Sequence, residues 1–281
     1  MRKLEVIFLT LFFVLGFIFR LYRFDSPIAD WHSWRQADTS VVSRNFVQNG
    51  FNLLHPKFDD LSNVPSGIDN PQGYRFVEFP IYNLFQGFFY KSLGVFTLEE
   101  WGRLVSIIAS MLSALFIYLI VKKRFGASAG FLSLIFFLFL PFNIYFSRTI
   151  LPDPSMVMAV LGGIYFFGLW LDNIEKNDRK KWLYFIFSLV LTSISFLLKP
   201  YALFFTLPIF YLSFEKFGIK LFKRWQLWVF GIVSVIPLIL WRWWMLSFPQ
   251  GIPQSNWLFN EGNFKTDFGI FWTPSFDIRF S

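Results

Sequence analysis

The 281 residues contain no cysteine, which excludes disulfides and thiolate metal sites and leaves the compartment to be read from topology instead. Histidine is almost as scarce: His32 and His55 are too few for a histidine-based metal centre, and no HExxH pattern occurs. Gly-rich phosphate loops of the Walker and dinucleotide types are also missing, so soluble-nucleotide chemistry is disfavoured. Any phosphate-bearing substrate is then expected to sit in lipid and to be reached from the bilayer. Charge is sparse at 16% of residues. What fills the chain is apolar: 55% hydrophobic, 23% aromatic, 42 Phe and 12 Trp, with a mean hydropathy of +0.48. These residues come in long runs rather than 3.6-residue stripes, which argues against one large soluble core. The formal charge of +8 would suit nucleic acid, yet Lys and Arg cluster beside the apolar runs, where they orient helices. No nucleic-acid partner is expected.

Apolar runs near 4–22, 104–121, 127–146, 155–171, 183–198, 201–214 and 228–246 are expected to cross the membrane, about seven spans in one domain covering 1–281. The first follows Arg2 and Lys3 but is too long for a cleavable signal core and lacks a small-residue cleavage site, so it reads as a retained helix. Lys199 and Pro200 divide two of the runs, and the proline favours a turn. The remaining run, Pro80 to Phe96, is decided by positive charge. If it lies along the membrane, Arg2/Lys3, Lys122 to Arg124, Lys176 to Lys181 and Lys216 to Arg224 share one side, the cytoplasmic one. If it spans, that bias disappears. It is therefore expected as an interfacial helix with Gln86 and Lys91 near the headgroups. Residues 23–103 then form a long outer loop, joined on its side by the turns at 147–153 and 199–200. The chain stops at Phe280-Ser281 in an aromatic, polar segment, and it is expected to be C-terminally incomplete.

Four blocks on that outer side carry residue types suited to chemistry. Asp30-Trp31-His32-Ser33-Trp34-Arg35-Gln36-Ala37-Asp38-Thr39 sets two carboxylates, a histidine and an arginine within nine positions. A carboxylate held near apolar surface gains basicity and can take a proton, while Arg35 can hold an anion. The same residues also fit an interfacial belt in which Trp31 and Trp34 anchor and the charges are solvated. Asp38, followed by Ser40, Ser43 and Arg44, reads as the start of a helix. In Tyr74 to Tyr82, Glu78 stands alone among aromatics, either as a site residue or as a helix N-terminal acid. Arg148 to Pro154 is a tight turn whose Asp153 either caps the next helix or faces the first loop. Lys199-Pro200-Tyr201 offers a lysine that either snorkels or joins Arg35 and Arg148 in a cationic cradle for phosphate.

In order along the chain, these blocks, with Glu78-Phe79-Pro80-Ile81-Tyr82, Glu100-Trp101-Gly102-Arg103-Leu104 and Lys122-Lys123-Arg124-Phe125-Gly126, resemble the multi-span GT-C glycosyltransferases of the protein O-mannosyltransferase and aminoarabinose-transferase type. The resemblance covers about the first 215 residues. It implies an all-α polytopic membrane protein, with a GT-C-like transmembrane helix bundle and interfacial helices in a long first outer loop. It also implies a sugar carried on a polyprenyl phosphate, transferred with inversion to a lipid, glycan or protein acceptor on the extracytoplasmic face, here expected of a bacterial plasma (inner) membrane. Membrane lipids are the surroundings. That family commonly has an Asp, often followed by Glu, early in the first loop; this chain has Arg35-Gln36 and then Asp38, so Asp30 and Asp38 compete as base, with Asp38 preferred. Asp153 matches the family's second acidic position. The expected catalytic residues are thus Asp38, Asp30 and Asp153, with Arg35, Arg148, Lys199, Glu78 and His32 around the donor. No cofactor is fixed; a divalent cation is compatible with the carboxylates, although no definite ligand set is assembled. The competing functions are a multi-span transporter or lipid-linked sugar flippase and a non-catalytic scaffold. Charges gathered at one interface rather than at mid-membrane disfavour the transporter.

Overall fold

The computed structural model describes residues 2–30, 32–176 and 179–253. Trp31 and the tail beyond Pro253 lie outside them. Ten α-helices follow one another among the described residues: α1 (Arg2–Arg20), α2 (Ser33–Asn49), α3 (Ile81–Leu93), α4 (Leu98–Phe125), α5 (Ala127–Phe139), α6 (Pro141–Phe146), α7 (Asp153–Asn173), α8 (Lys180–Leu198), α9 (Leu207–Phe217) and α10 (Trp225–Met245). The only sheet-like pairing among these residues is an isolated bridge between Lys57 and Tyr74. Among the described residues, five segments are long and apolar enough to cross a membrane: Leu98–Phe125, Asp153–Asn173, Lys180–Leu198, Pro200–Lys223 and Trp225–Met245. The chain is an all-α polytopic membrane protein. Of the other two expected spans, α1 carries Arg2, Lys3, Glu5 and Arg20 within its 19 residues, and α5 has only 13, about 20 Å of helix against a hydrocarbon core of about 30 Å.

Local chemistry explains where these helices begin and end. Thr97 and Glu100 form a reciprocal capping box at the start of α4, and Lys122, Lys123 and Arg124 meet the negative end of its dipole before Gly126 stops it at φ 87°. The run expected as one span over 127–146 is instead broken at Leu140, because Pro141 has no N–H to donate back to Phe137. The Asn143 amide donates to the Phe137 carbonyl instead, and the fully buried Arg20 donates to the carbonyls of Gly16 (2.9 Å) and Leu138 (3.1 Å).

Small residues let the spans approach closely. A Cβ on Gly163 of α7 would lie 2.7 Å from the Thr192 hydroxyl of α8, and Ser188 Oγ donates to the Gly163 carbonyl at 2.8 Å. The same device seats α3 on α4. At Gly102 a Cβ would lie 2.7 Å from Gln86 Nε2, while Tyr82 donates its hydroxyl to the Gly102 carbonyl at 2.6 Å. Burial raises the Tyr82 phenol above its ordinary range, which keeps it a donor.

At 13 residues α3 is too short to span, but one expectation about it is corrected. Gln86 is fully buried against α2 and α4, so it does not face the headgroups. It accepts from Ser43 Oγ at 2.7 Å and donates to the Leu98 carbonyl at 3.0 Å, while Asn83 donates to the Thr39 carbonyl at 2.6 Å. A polar seam thus locks α2 to α3, each buried donor finding a partner. A second correction concerns α2, which begins at Ser33 rather than near Asp38, so Asp38 occupies its second turn.

The long loop is folded onto one end of the bundle. Backbone bonds run from Phe79 N to Leu197 O (3.0 Å) and from Phe76 N to Gly251 O (2.8 Å), and Trp244 Nε1 donates to Leu54 O (3.0 Å). Phe76, Trp241 and Met245 form the buried centre of this contact. At the opposite end, ion pairs Lys122 with Glu5, Lys123 with Asp172 and Arg124 with Glu215 (2.5 Å) tie α1, α7 and α9 to α4.

Candidate active site

Helix α2 delivers the first block to the loop end of the bundle. Asp38 pairs with Arg75 (3.1 Å), whose guanidinium also lies 4.8 Å from the Phe58 ring centre. Burial lowers the Arg75 pKa and Arg35 adds to the effect, while Asp38, Glu78 and Asp60 oppose it. Asp38 is therefore not the carboxylate in apolar surroundings that the sequence suggested; an arginine faces it, and it remains 35% exposed. One turn back, Arg35 Nη2 contacts both oxygens of Glu78 at 2.5 and 2.8 Å, with the two side chains only 15% and 10% exposed. The first and second blocks thus meet through two ion pairs, and Arg35, Arg75 and Glu78 line one small cleft with Thr39 and Asn83.

The third and fourth blocks meet on the bundle itself. Lys199 breaks α8 with extended backbone (φ −150°), which turns its ammonium to within 3.5 Å of Asp153 at the start of α7. Tyr201 donates its hydroxyl to the other Asp153 oxygen at 2.9 Å. Asp153 makes no side-chain cap, so the capping alternative is not what its carboxylate does here. Glu78 lies within electrostatic range of both Tyr201 and Arg242, which brings the two halves of the constellation together.

Asp30 and Arg148 have different engagements. Asp30 accepts from Gln36 Nε2 at 2.8 Å, and the same buried Gln36 accepts from Ile150 N at 3.0 Å, so one amide joins the first loop to the third-block turn. Arg148 donates to the Tyr22 carbonyl at 2.7 Å and packs against the Tyr22 and Tyr145 rings, just as Arg103 donates to the Phe24 carbonyl at 2.7 Å. Both arginines clamp the segment after α1. His32, at φ 58°, precedes α2 and borders a cavity of about 410 Å³ shared with Asp153, Ser110, Asn143 and Thr149. Among the described residues, no three His, Asp or Glu side chains converge as a metal ion would require.

Residues 77–244, from just before α3 almost to the end of α10, match the model of the dolichyl-phosphate-mannose-protein mannosyltransferase family. The chain belongs to that family. It is a membrane glycosyltransferase that uses a lipid-linked sugar donor. No curated protein and no solved structure matches it. The family match includes Glu78, Asp153, Lys199 and Arg242 but leaves out α2 with Arg35 and Asp38. Sequence reasoning passed over Arg75, Gln36, Tyr201 and Arg242 as site residues. Gln36, Arg75 and Tyr201 stood inside the blocks set out above, and an arginine between two aromatic residues was the available signal for Arg75. Arg242, beside Trp241 and Trp243, had only the look of an interfacial anchor.

Proposed function

We propose that the protein transfers a sugar from a polyprenyl-phosphate donor to a hydroxyl of a lipid, glycan or protein acceptor, with inversion, on the face that bears residues 23–103, the extracytoplasmic face of a bacterial plasma membrane. The observation that carries this reading is the meeting of Asp38–Arg75, Arg35–Glu78 and Asp153–Lys199–Tyr201 at one end of a membrane bundle of this family. In the proposed step Asp38 takes the acceptor proton as the hydroxyl oxygen attacks the anomeric carbon. The bond from that carbon to the phosphate oxygen breaks, and its electron pair leaves with the lipid phosphate. Arg35 and Lys199 supply positive potential where that charge develops, and Arg148 adds to it at longer range. Asp153 holds Lys199 and Tyr201 in position, Glu78 holds Arg35, and His32 borders the neighbouring cavity. No covalent sugar intermediate is required.

Purified protein in liposomes is expected to transfer sugar from a polyprenyl-phosphate sugar and to be inactive with a nucleotide sugar alone. Efficient transfer from the soluble nucleotide sugar without lipid would overturn the donor assignment. Orientation has its own test, made simple by the absence of native cysteine. An impermeant maleimide applied to intact cells should label Ser62→Cys in the loop and leave Lys123→Cys unlabelled. The reverse pattern contradicts the proposed sidedness.

A further inference from the structure

At the loop end of the bundle the cations are nearly all committed. Arg35 is paired with Glu78, Arg75 with Asp38, Arg44 with Asp59 and Lys199 with Asp153. Arg103 and Arg148 are bonded to carbonyls, and Arg23, Lys57 and Lys91 rest over aromatic rings. Arg242 differs: among the described residues it has neither a hydrogen bond nor an ion pair, and it is exposed. Its position is nonetheless specific. It lies one helical turn after Leu238, which packs with Leu198 and Ala202 on either side of Lys199 and Tyr201, so α10 presents Arg242 on the face that borders the constellation. Among the described residues, Glu78 lies within its electrostatic range. Trp243 beside Arg242 is exposed, and an exposed tryptophan at a helix end marks the depth of the lipid headgroups.

We propose that Arg242 is the side chain that directly contacts the phosphate of the lipid-linked donor, the paired arginines and lysine around it giving a background field. This rests on the polyprenyl-phosphate reading above. A guanidinium with no ion pair among the described residues binds phosphate through two parallel N–H donors without giving up any carboxylate seen there, whereas Arg35 and Lys199 must each give one up. The cost of that exchange is what separates the candidates.

The test compares wild type, R242Q and R242K in nanodiscs, measuring binding of decaprenyl phosphate and the donor KM and kcat for transfer. R242Q is expected to weaken decaprenyl-phosphate binding and to raise donor KM about tenfold or more, since a charged hydrogen-bonded contact is lost. R242K, a point charge without the fork, should fall between the two, and added phosphatidylglycerol should not compete. Unchanged binding and KM in R242Q, with wild type active on the lipid donor, overturns the inference and leaves the donor reading intact. Equal competition by phosphatidylglycerol overturns it too, making Arg242 a headgroup anchor. A wild type that neither binds decaprenyl phosphate nor transfers from its sugar overturns the donor reading and this inference with it. Should R242Q not accumulate, R242K decides the matter: a donor KM equal to wild type counts against the contact.

Discussion

Asp38→Asn is expected to lower sugar transfer about a hundredfold or more, because the amide keeps the shape of the carboxylate but cannot accept the acceptor's proton. Folding should change little. The Asn oxygen can still accept from Arg75, and Glu78 and Asp60 remain within electrostatic range of that arginine. Asp30→Asn belongs in the same membranes as the control, with expression checked for each. Asp30 is tied to Gln36, and through it to Ile150, so its substitution is expected to loosen the junction between the first loop and the α7 turn rather than abolish turnover. Near-normal turnover in Asp38→Asn beside an inactive Asp30→Asn would reassign the base to Asp30. If neither substitution matters, the first loop is not the source of the base. Asp153→Asn should give a distinct result, a higher donor KM, since it removes the charge that holds Lys199 and leaves one acceptor oxygen for two donors, without removing the proton acceptor.

Breaking the Arg35–Glu78 pair is expected to cost about 3–5 kcal/mol of stability for either single alanine substitution, the range seen when one partner of a buried ion pair is removed. At 15% and 10% exposure both groups are shielded enough for that comparison to apply. The double substitution R35A/E78A should recover much of the loss, because no unpaired charge remains in the cleft. Activity is expected to behave otherwise and to stay low in the double variant, since the positive charge near the leaving phosphate is still missing. Thermal unfolding of the four proteins, followed by transfer assays on each, separates the two roles. Strictly additive stability losses would mean that the pair contributes no coupling; full activity in R35A/E78A would remove Arg35 from the donor site.

The membrane helices were legible because the bilayer imposes a one-dimensional rule. A run of apolar residues long enough to cross hydrocarbon must satisfy its backbone internally, so α4, α7, α8 and α10 appear close to where hydropathy puts them. Positive residues at run ends and Pro200 after Lys199 likewise act locally, and they marked the turns. The break at Pro141 was equally local and could have been read from the missing N–H, but the apolar run on both sides of it hid the signal. Gln86 misled for the opposite reason. A polar residue on an apolar helix suggests an interface with water, and only the approach of α2 supplies the Ser43 hydroxyl that lets it be buried.

The residue types of the site were visible in sequence, but their partners were not. Arg35 and Glu78 are 43 positions apart, and Asp153 and Tyr201 are 48 apart. Hydropathy and charge placement carry no information about which side chains meet across such distances, because pairing depends on how the loop lies over the ends of α8 and α10. Sequence alone determined that the chain is helical and lives in a membrane, and it set the candidate site residues in the segments between the spans, since each of those follows from local composition. Tertiary structure alone decided that Asp38 faces Arg75, that Arg148 holds the backbone after α1, and that Arg242 has no hydrogen bond or ion pair among the described residues, since a charge acquires its role from the groups that packing brings within a few ångströms.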